Sequence, residues 1–229
     1  YKPSRIERDS TRTKGSLEGA LHAIQNGEYQ ILIGTQMLAK GHHFPDVTLV
    51  ALLDVDSSLY SSDFRASERL AQLFIQVSGR AGRASKPGEV ILQTHHPENH
   101  LLKTLIGEGY HHYARDALLE RKSAYLPPFT FLTLVRAEAN RSDWVEEFLR
   151  QVRYVLETHH SFNFGCQILG PTPAPLAKKA GKYRWHLLIQ AQKRSTMQKL
   201  LRETKEAITS LSMAKRVRWS LDIDPHDIS

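Results

Sequence analysis

One cysteine, Cys166, stands in the whole 229-residue chain. A disulfide framework and a cysteine zinc site both need more thiols, so neither can be built from this sequence. A lone thiol fits a reducing, cytoplasmic setting. Long apolar runs are missing as well, and none approaches the roughly 20 residues that a membrane-spanning helix needs. The first residues, Tyr1-Lys2-Pro3-Ser4-Arg5, have neither the apolar centre of a signal peptide nor an initiator methionine, and a fragment of a longer protein is expected. No Gly-x-x-x-x-Gly-Lys-Ser/Thr loop occurs: Gly181-Lys182 runs into Tyr183 and lacks the upstream glycine. Asp54-x-Asp56 is not an Asp-Glu-x-His magnesium motif and reads as a strand terminus. The groups that grip phosphate and metal are therefore absent, and this chain alone is not expected to hydrolyse ATP.

What is present is ordinary globular composition, 41% hydrophobic and 24% charged, with basic charge unevenly placed. Residues 1–129 hold 15 Lys and Arg against 14 Asp and Glu, whereas residues 130–229 hold 16 against 10. Positive charge gathered in one half is the electrostatic footprint of a polyanion partner, most simply nucleic acid. Generic solubility charge is the plainer alternative.

In the first half, Arg5 to Lys14 is polar and aperiodic. Ser16 is a plausible cap for a helix carrying Leu17, Ala20, Leu21 and Ile24 at helical spacing. Gln30–Gly34 and Thr48–Val55 read as buried parallel strands, apolar on both faces. Thr35 and Gln36 then fall at a strand's carboxyl end, where ligands sit in open α/β sheets. Asp63 or Ser67 caps a helix whose Leu70, Leu73, Phe74 and Val77 mark one face. Glu89–Thr94 is a further strand. Strands alternating with helices predict a parallel, doubly wound sheet.

That helix delivers Gln76-Val77-Ser78-Gly79-Arg80-Ala81-Gly82-Arg83, two glycine-preceded arginines three positions apart. Glycine permits tight backbone geometry, and a guanidinium offers fixed donors to phosphate oxygens. Such a pair suits a triphosphate during phosphoryl transfer. Alone, it reads equally well as a surface turn with two solvated arginines.

Thr35-Gln36 with Lys40-Gly41-His42, followed by Gln76 through Arg83, resembles motifs V and VI of superfamily-two helicases. With Arg5-Ile6-x-Arg8-Asp9-Ser10-Thr11 and Asp63-Phe64-Arg65-Ala66-x-Glu68-Arg69, the set resembles the primosomal protein N′ family of replication-restart helicases along the whole chain. The resemblance implies a second RecA-like lobe in residues 1–97. It implies that Arg80 and Arg83 reach the γ-phosphate of ATP, with Gln76, Gly79 and Gly41 on the nucleotide side. Thr35 and Gln36 would couple nucleotide to the nucleic-acid track. ATP and Mg2+ would be held mainly by a first lobe that is not in this chain. Many motif V sequences carry an acid where His43 stands, so no ribose contact is expected there. Family members also carry a cysteine zinc module, expected upstream of Tyr1.

The histidine doublets at 42–43, 95–96, 111–112 and 159–160 have no Cys or acid at zinc spacing beside them, and neighbours do not share a face of a helix or strand. No metal site is expected.

His100–Lys122 reads as one helix, stopped by Leu126-Pro127-Pro128, and residues 98–129 as a connector. Residues 130–229 follow the order β-α-β-β-α-β of a ferredoxin-like α+β domain: strand 130–139, helix 143–158, a proline-broken edge strand 167–177, strand 183–191, a helix capped by Ser195, and strand 217–223. A hairpin loop there carries Lys178, Lys179 and Lys182, then Tyr183 and Arg184. Lysines neutralise phosphates without sequence preference, and aromatics stack on bases. Tyr183 reads as exposed, and Trp185 is as readily core as stacking platform. The resemblance implies that this domain holds branched and single-stranded DNA, and the acidic tail of single-stranded DNA-binding protein, with Arg194 and Gln198 as candidates for that tail. It further implies other primosome proteins as partners, 3′-to-5′ travel, and a monomer. A non-catalytic nucleic-acid or protein-binding module, or a superfamily-two translocase acting on RNA, are the alternatives.

Overall fold

The computed structural model describes residues 3–6, 19, 22–24, 26–34, 47–79, 88–163 and 165–228. The chain divides into two compact units, Tyr1–Ser61 with Ala66–Ala114 and Ser62–Arg65 with Arg115–Ser229. The stretch 98–129 is thus shared out, its first part to one unit and its remainder to the other.

In the first unit Pro3–Ile6 (β1) pairs in parallel with Ile31–Gly34 (β2), and Leu49–Leu52 (β3) pairs in parallel with Glu89–Leu92 (β4). Among the described residues these are two separate two-stranded sheets. β1 overlaps the stretch that shows no period, because four residues are too few for alternation to register. β3 is shorter than Thr48–Val55 and is not buried on both faces, since Leu49 and Leu53 are 53% and 72% exposed. Asp54, at φ 52°, turns the chain into a short helix, Asp56–Leu59 (α1), where a serine-rich loop is the sequence expectation. The Asp56 carboxylate ties that turn to the end of β4, accepting from Thr94 Oγ1 at 2.5 Å and His95 N at 2.8 Å. The Thr94 hydroxyl first, then the His95 amide, hold its pKa below the usual carboxylate value.

Ala66–Ser78 (α2) buries Ala66, Leu70, Ala71 and Val77, close to the face its periodicity marks. His100–Gly107 (α3) starts at Asn99, whose side chain accepts from Leu102 N at 3.2 Å. Val55, Leu70 and Leu102 then form a small core with Leu52, Leu59 and Leu92 around it. The expected helix 100–122 is in fact two: Gly109 at φ 85° ends α3, and Tyr110–Ser123 (α4) restarts.

The second unit has a four-stranded antiparallel sheet in the order β6-β7-β5-β8. Its strands are Phe131–Ala139 (β5), Cys166–Lys179 (β6), Lys182–Ala191 (β7) and Arg218–Ile223 (β8). Ser142–Thr158 (α5) joins β5 to β6, and Arg194–Thr209 (α6) follows β7. Val145, Phe148, Leu149, Val152 and Leu156 of α5 are fully buried, as their spacing predicts. They pack with Met197, Leu200, Leu201 and Ile208 of α6 on the strand face that carries Val135, Ala137, Leu187 and Ile189. Each such aliphatic side chain contributes about 1.5–3 kcal/mol through its removal from water.

Ser195 does not cap α6: the helix begins one residue earlier, with Lys193 at the cap position and no side-chain cap. β6 is an edge strand whose register slips between Leu169 and Thr172 and again between Pro173 and Lys178, where Pro171, Pro173 and Pro175 interrupt it. Ser62–Arg65 joins this unit through specific contacts. Buried Asp63 accepts from Arg65 N at 3.0 Å, Arg65 Nη1 donates to Pro225 O at 2.5 Å, and Phe64 lies under the guanidinium groups of Arg65 and Arg121. No described helix is long and apolar enough to cross a membrane.

Candidate nucleic-acid interface

The β6–β7 hairpin is tighter than a loop running from Lys178 to Lys182. Its turn is Ala180-Gly181 alone, with φ values of 48° and 79°, the left-handed pair that a two-residue turn requires. Lys178 and Lys179 therefore lie on strand β6, opposite Tyr183 and Lys182 of β7. Direct opposition puts the Lys178 ammonium 4.7 Å over the Tyr183 ring and 3.4 Å from its hydroxyl. Tyr183 is half-buried beneath that lysine, and Lys179 is exposed.

Trp185, two residues along the same face, resolves to the core side. It packs against the buried cluster, and its Nε1 donates to Ser142 Oγ at 3.1 Å. Arg184 points to the other face and pairs in register with Glu138. On that face His186 is buried, and desolvation, then Arg136 and Arg184, lower its pKa from 6.5 to about 4. It is neutral at physiological pH.

Register carries further cations to this end of the sheet. Glu138 of β5 lies opposite Arg184 on one side and Arg218 on the other, and its Oε1 is 3.4 Å from Lys182 Nζ and 3.6 Å from Arg218 Nη1. α5 starts where β5 ends, so Arg141 and Trp144 stand at the same rim. Trp144 is flanked by the guanidinium groups of Arg141 and Arg216, 5.3 and 5.5 Å from its ring. Among the described residues, seven basic side chains (Lys178, Lys179, Lys182, Arg184, Arg218, Arg216 and Arg141) thus gather at this end with Glu138 and Asp143, the latter bound to Arg141 at 2.7 Å. Past Trp144 the sign changes, in an open cavity of about 410 Å³ that Asp143, Glu146 and Glu147 line with Arg150 and Arg216. Arg141, Trp144, Arg216 and Arg218 are not legible as members of the rim, because only strand register unites positions so far apart in sequence.

Arg194 and Gln198 are both exposed, one turn apart at the start of α6. Arg194 is engaged within the chain, 2.7 Å from Asp224 and 5.1 Å above Phe131. In the first unit Gln76 and Gly79 are exposed at the end of α2, where a ligand could reach them. Thr35, Gln36, Gly41, Arg80 and Arg83 lie outside the described residues. No metal site is the expectation of the sequence; among the described residues, Glu203 of α6 comes beside His159 and His160 as a group of potential ligands.

Two family models match the chain, "Helicase conserved C-terminal domain" over residues 6–85 and "Primosomal protein N C-terminal domain" over residues 122–226. Among curated proteins it is similar to replication restart protein PriA of Haemophilus influenzae, 57% identical over all of this chain and 31% of that protein. The Bacillus subtilis protein of that name is 34% identical over 97% of this chain and 27% of its own length. The Synechocystis protein is 37% identical over 81% and 22%. The chain spans about a third or less of the length of these relatives. With a helicase C-terminal domain leading into a primosomal protein N C-terminal domain, and this similarity from end to end, the chain belongs to the primosomal protein N′ (PriA) family.

Proposed function

We propose that this chain is the C-terminal part of an ATP-dependent DNA helicase, one that recognises branched or stalled replication forks and initiates primosome assembly for replication restart. The DNA part of this reading is carried by the cationic end of the β6-β7-β5-β8 sheet. Lys178, Lys179, Lys182 and Arg184 neutralise backbone phosphates there, and Tyr183 offers an aromatic face once Lys178 swings to a phosphate. Names of the relatives, all replication restart proteins, support the restart role.

Residues 1–97 form the second RecA-like lobe in this reading, 98–129 the connector and 130–229 a ferredoxin-like C-terminal domain. The antiparallel order β6-β7-β5-β8, with two helices on one face, favours that last assignment. Arg80 and Arg83 present guanidinium groups to the γ-phosphate, while Gln76, Gly79 and Gly41 border the nucleotide. The exposure of Gln76 and Gly79 fits that surface. Thr35 and Gln36 contact the tracked strand. ATP hydrolysis supplies the free energy for strand separation. ATP and Mg2+ are held mainly by the first lobe of the longer protein, and zinc by a cysteine module outside this chain. The protein works as a cytoplasmic monomer travelling 3′ to 5′, alongside other primosome proteins. The uncapped start of α6, with Arg194 and Gln198, receives the acidic tail of single-stranded DNA-binding protein, Arg194 exchanging Asp224 for it.

Two measurements test the reading. In the full-length protein, Arg83→Ala should abolish DNA-stimulated ATP hydrolysis while a fluorescent nucleotide still binds. The 229-residue chain alone should bind forked DNA at low salt and hydrolyse no ATP. Unchanged hydrolysis in Arg83→Ala, or no DNA binding by the chain at low salt, would refute it.

A further inference from the structure

Three metal-ligating side chains converge just after α5, remote from the cationic rim's residues and independent of the helicase reading. His159 caps α5 with extended backbone, φ −75° and ψ 138°. Neighbouring residues inside a helix point in different directions, but that constraint lapses beyond its end. The imidazole rings of His159 and His160 consequently lie 4.2 Å apart, with 37° between their planes. Glu203 arrives from α6, its Oε2 3.7 Å from His160 Nε2. One ligand atom from each of the three lies within 4.8 Å of the other two. Ser161 orders the group: its N–H donates to His159 Nδ1 at 3.2 Å, and its hydroxyl donates to Glu203.

We propose that His159, His160 and Glu203 bind one divalent cation of the zinc class, with water completing the coordination. Two imidazoles and a carboxylate select Zn2+ and its late first-row neighbours over Mg2+ and Ca2+, which take oxygen ligands. Bonds of about 2.0–2.2 Å set tetrahedral ligand atoms about 3.4 Å apart. The group needs a closure of roughly 1 Å, within reach of side-chain rotation at exposed positions. Binding through either His159 nitrogen gives up the single hydrogen bond from Ser161 N. Lys199, exposed and one turn before Glu203, opposes the cation and can extend into solvent. The ion cross-links the loop after α5 to α6, and the Ser161 hydroxyl orients the Glu203 carboxylate as an outer-shell partner.

The experiment titrates ZnCl2 into the 229-residue chain, read by calorimetry and by thermal unfolding, with EDTA as the reversal. Uptake at one equivalent and an EDTA-reversible rise in Tm are expected. His160→Ala and Glu203→Gln should each weaken zinc binding roughly 100-fold, and Ser161→Ala roughly 10-fold. The His160 side chain is 76% exposed, so its removal leaves the fold intact, and circular dichroism checks each variant. His111→Ala, at another doublet, should bind zinc as the parent does. No zinc uptake, an equal response to Mg2+, uptake unchanged in both His160→Ala and Glu203→Gln, or uptake lost in His111→Ala would each overturn the site.

Discussion

Removing charge from the β6–β7 hairpin gives the sharpest measure of the nucleic-acid interface. Each cation that neutralises a phosphate adds about 0.7 to the salt slope of binding on a single strand. Lys178→Gln with Lys179→Gln should therefore lower that slope by about 1.4. Referred to a state at 1 M salt, this weakens binding about 25-fold at 0.1 M. Lys182→Gln should contribute less than a full 0.7, because Glu138 already holds that ammonium at 3.4 Å. The same carboxylate faces Arg218 at 3.6 Å, so Glu138→Gln releases two cations and should steepen the slope and tighten binding. Fluorescence anisotropy of labelled oligonucleotides across a salt series measures all three variants. Weakening should be equal for unrelated base sequences, since phosphates carry no sequence information. An unchanged slope in the double variant, or a slope that falls in Glu138→Gln, would show that these lysines do not meet phosphates.

Other expectations follow from burial and backbone. Phe148 is fully buried with its ring 5.7 Å from that of Trp219, so Phe148→Ala should cost about 3–5 kcal/mol in urea unfolding and alter tryptophan emission. Gly170 has φ 97°, and an added Cβ would lie 3.0 Å from His186 O; Gly170→Ala should lose roughly 2–4 kcal/mol by the same assay. His186 takes its proton near pH 4 when folded and near 6.5 when unfolded, so the unfolded state binds protons first as pH falls. Its stabilisation is present above pH 6.5 and falls by about 2 kcal/mol by pH 5, a decline that His186→Asn should flatten in urea midpoints across that window.

Legibility in the sequence tracks how local the deciding physics is. The face of α5 could be read residue by residue, because Val145, Phe148, Leu149, Val152 and Leu156 repeat at helical spacing and one sheet covers them all. The break between α3 and α4 was also open to reading, through Gly107 and Gly109, but the run of leucines on both sides hides it. Ser195 looked like the cap of α6, yet β7 ends early enough for Lys193 to take that place. Alternation showed that Tyr183 and Trp185 share a face. Which of them is covered depends on Lys178 and Ser142, groups that the strand itself does not contain. Arg216 and Arg218 at the rim, and Glu203 beside the histidine doublet, were out of reach for a stronger form of the same reason: long-range register and helix packing bring them there.

The prolines of β6 also bear on what that margin of the sheet can pair with. A strand at a sheet margin offers unpaired amides to any passing chain, the opening step of aggregation. On β6 the residues Pro171, Pro173 and Pro175 have no amide hydrogen to give, so none of the three can donate to an added strand. An incoming strand would find no donor at any of these three positions, a brake on edge-to-edge pairing at this margin.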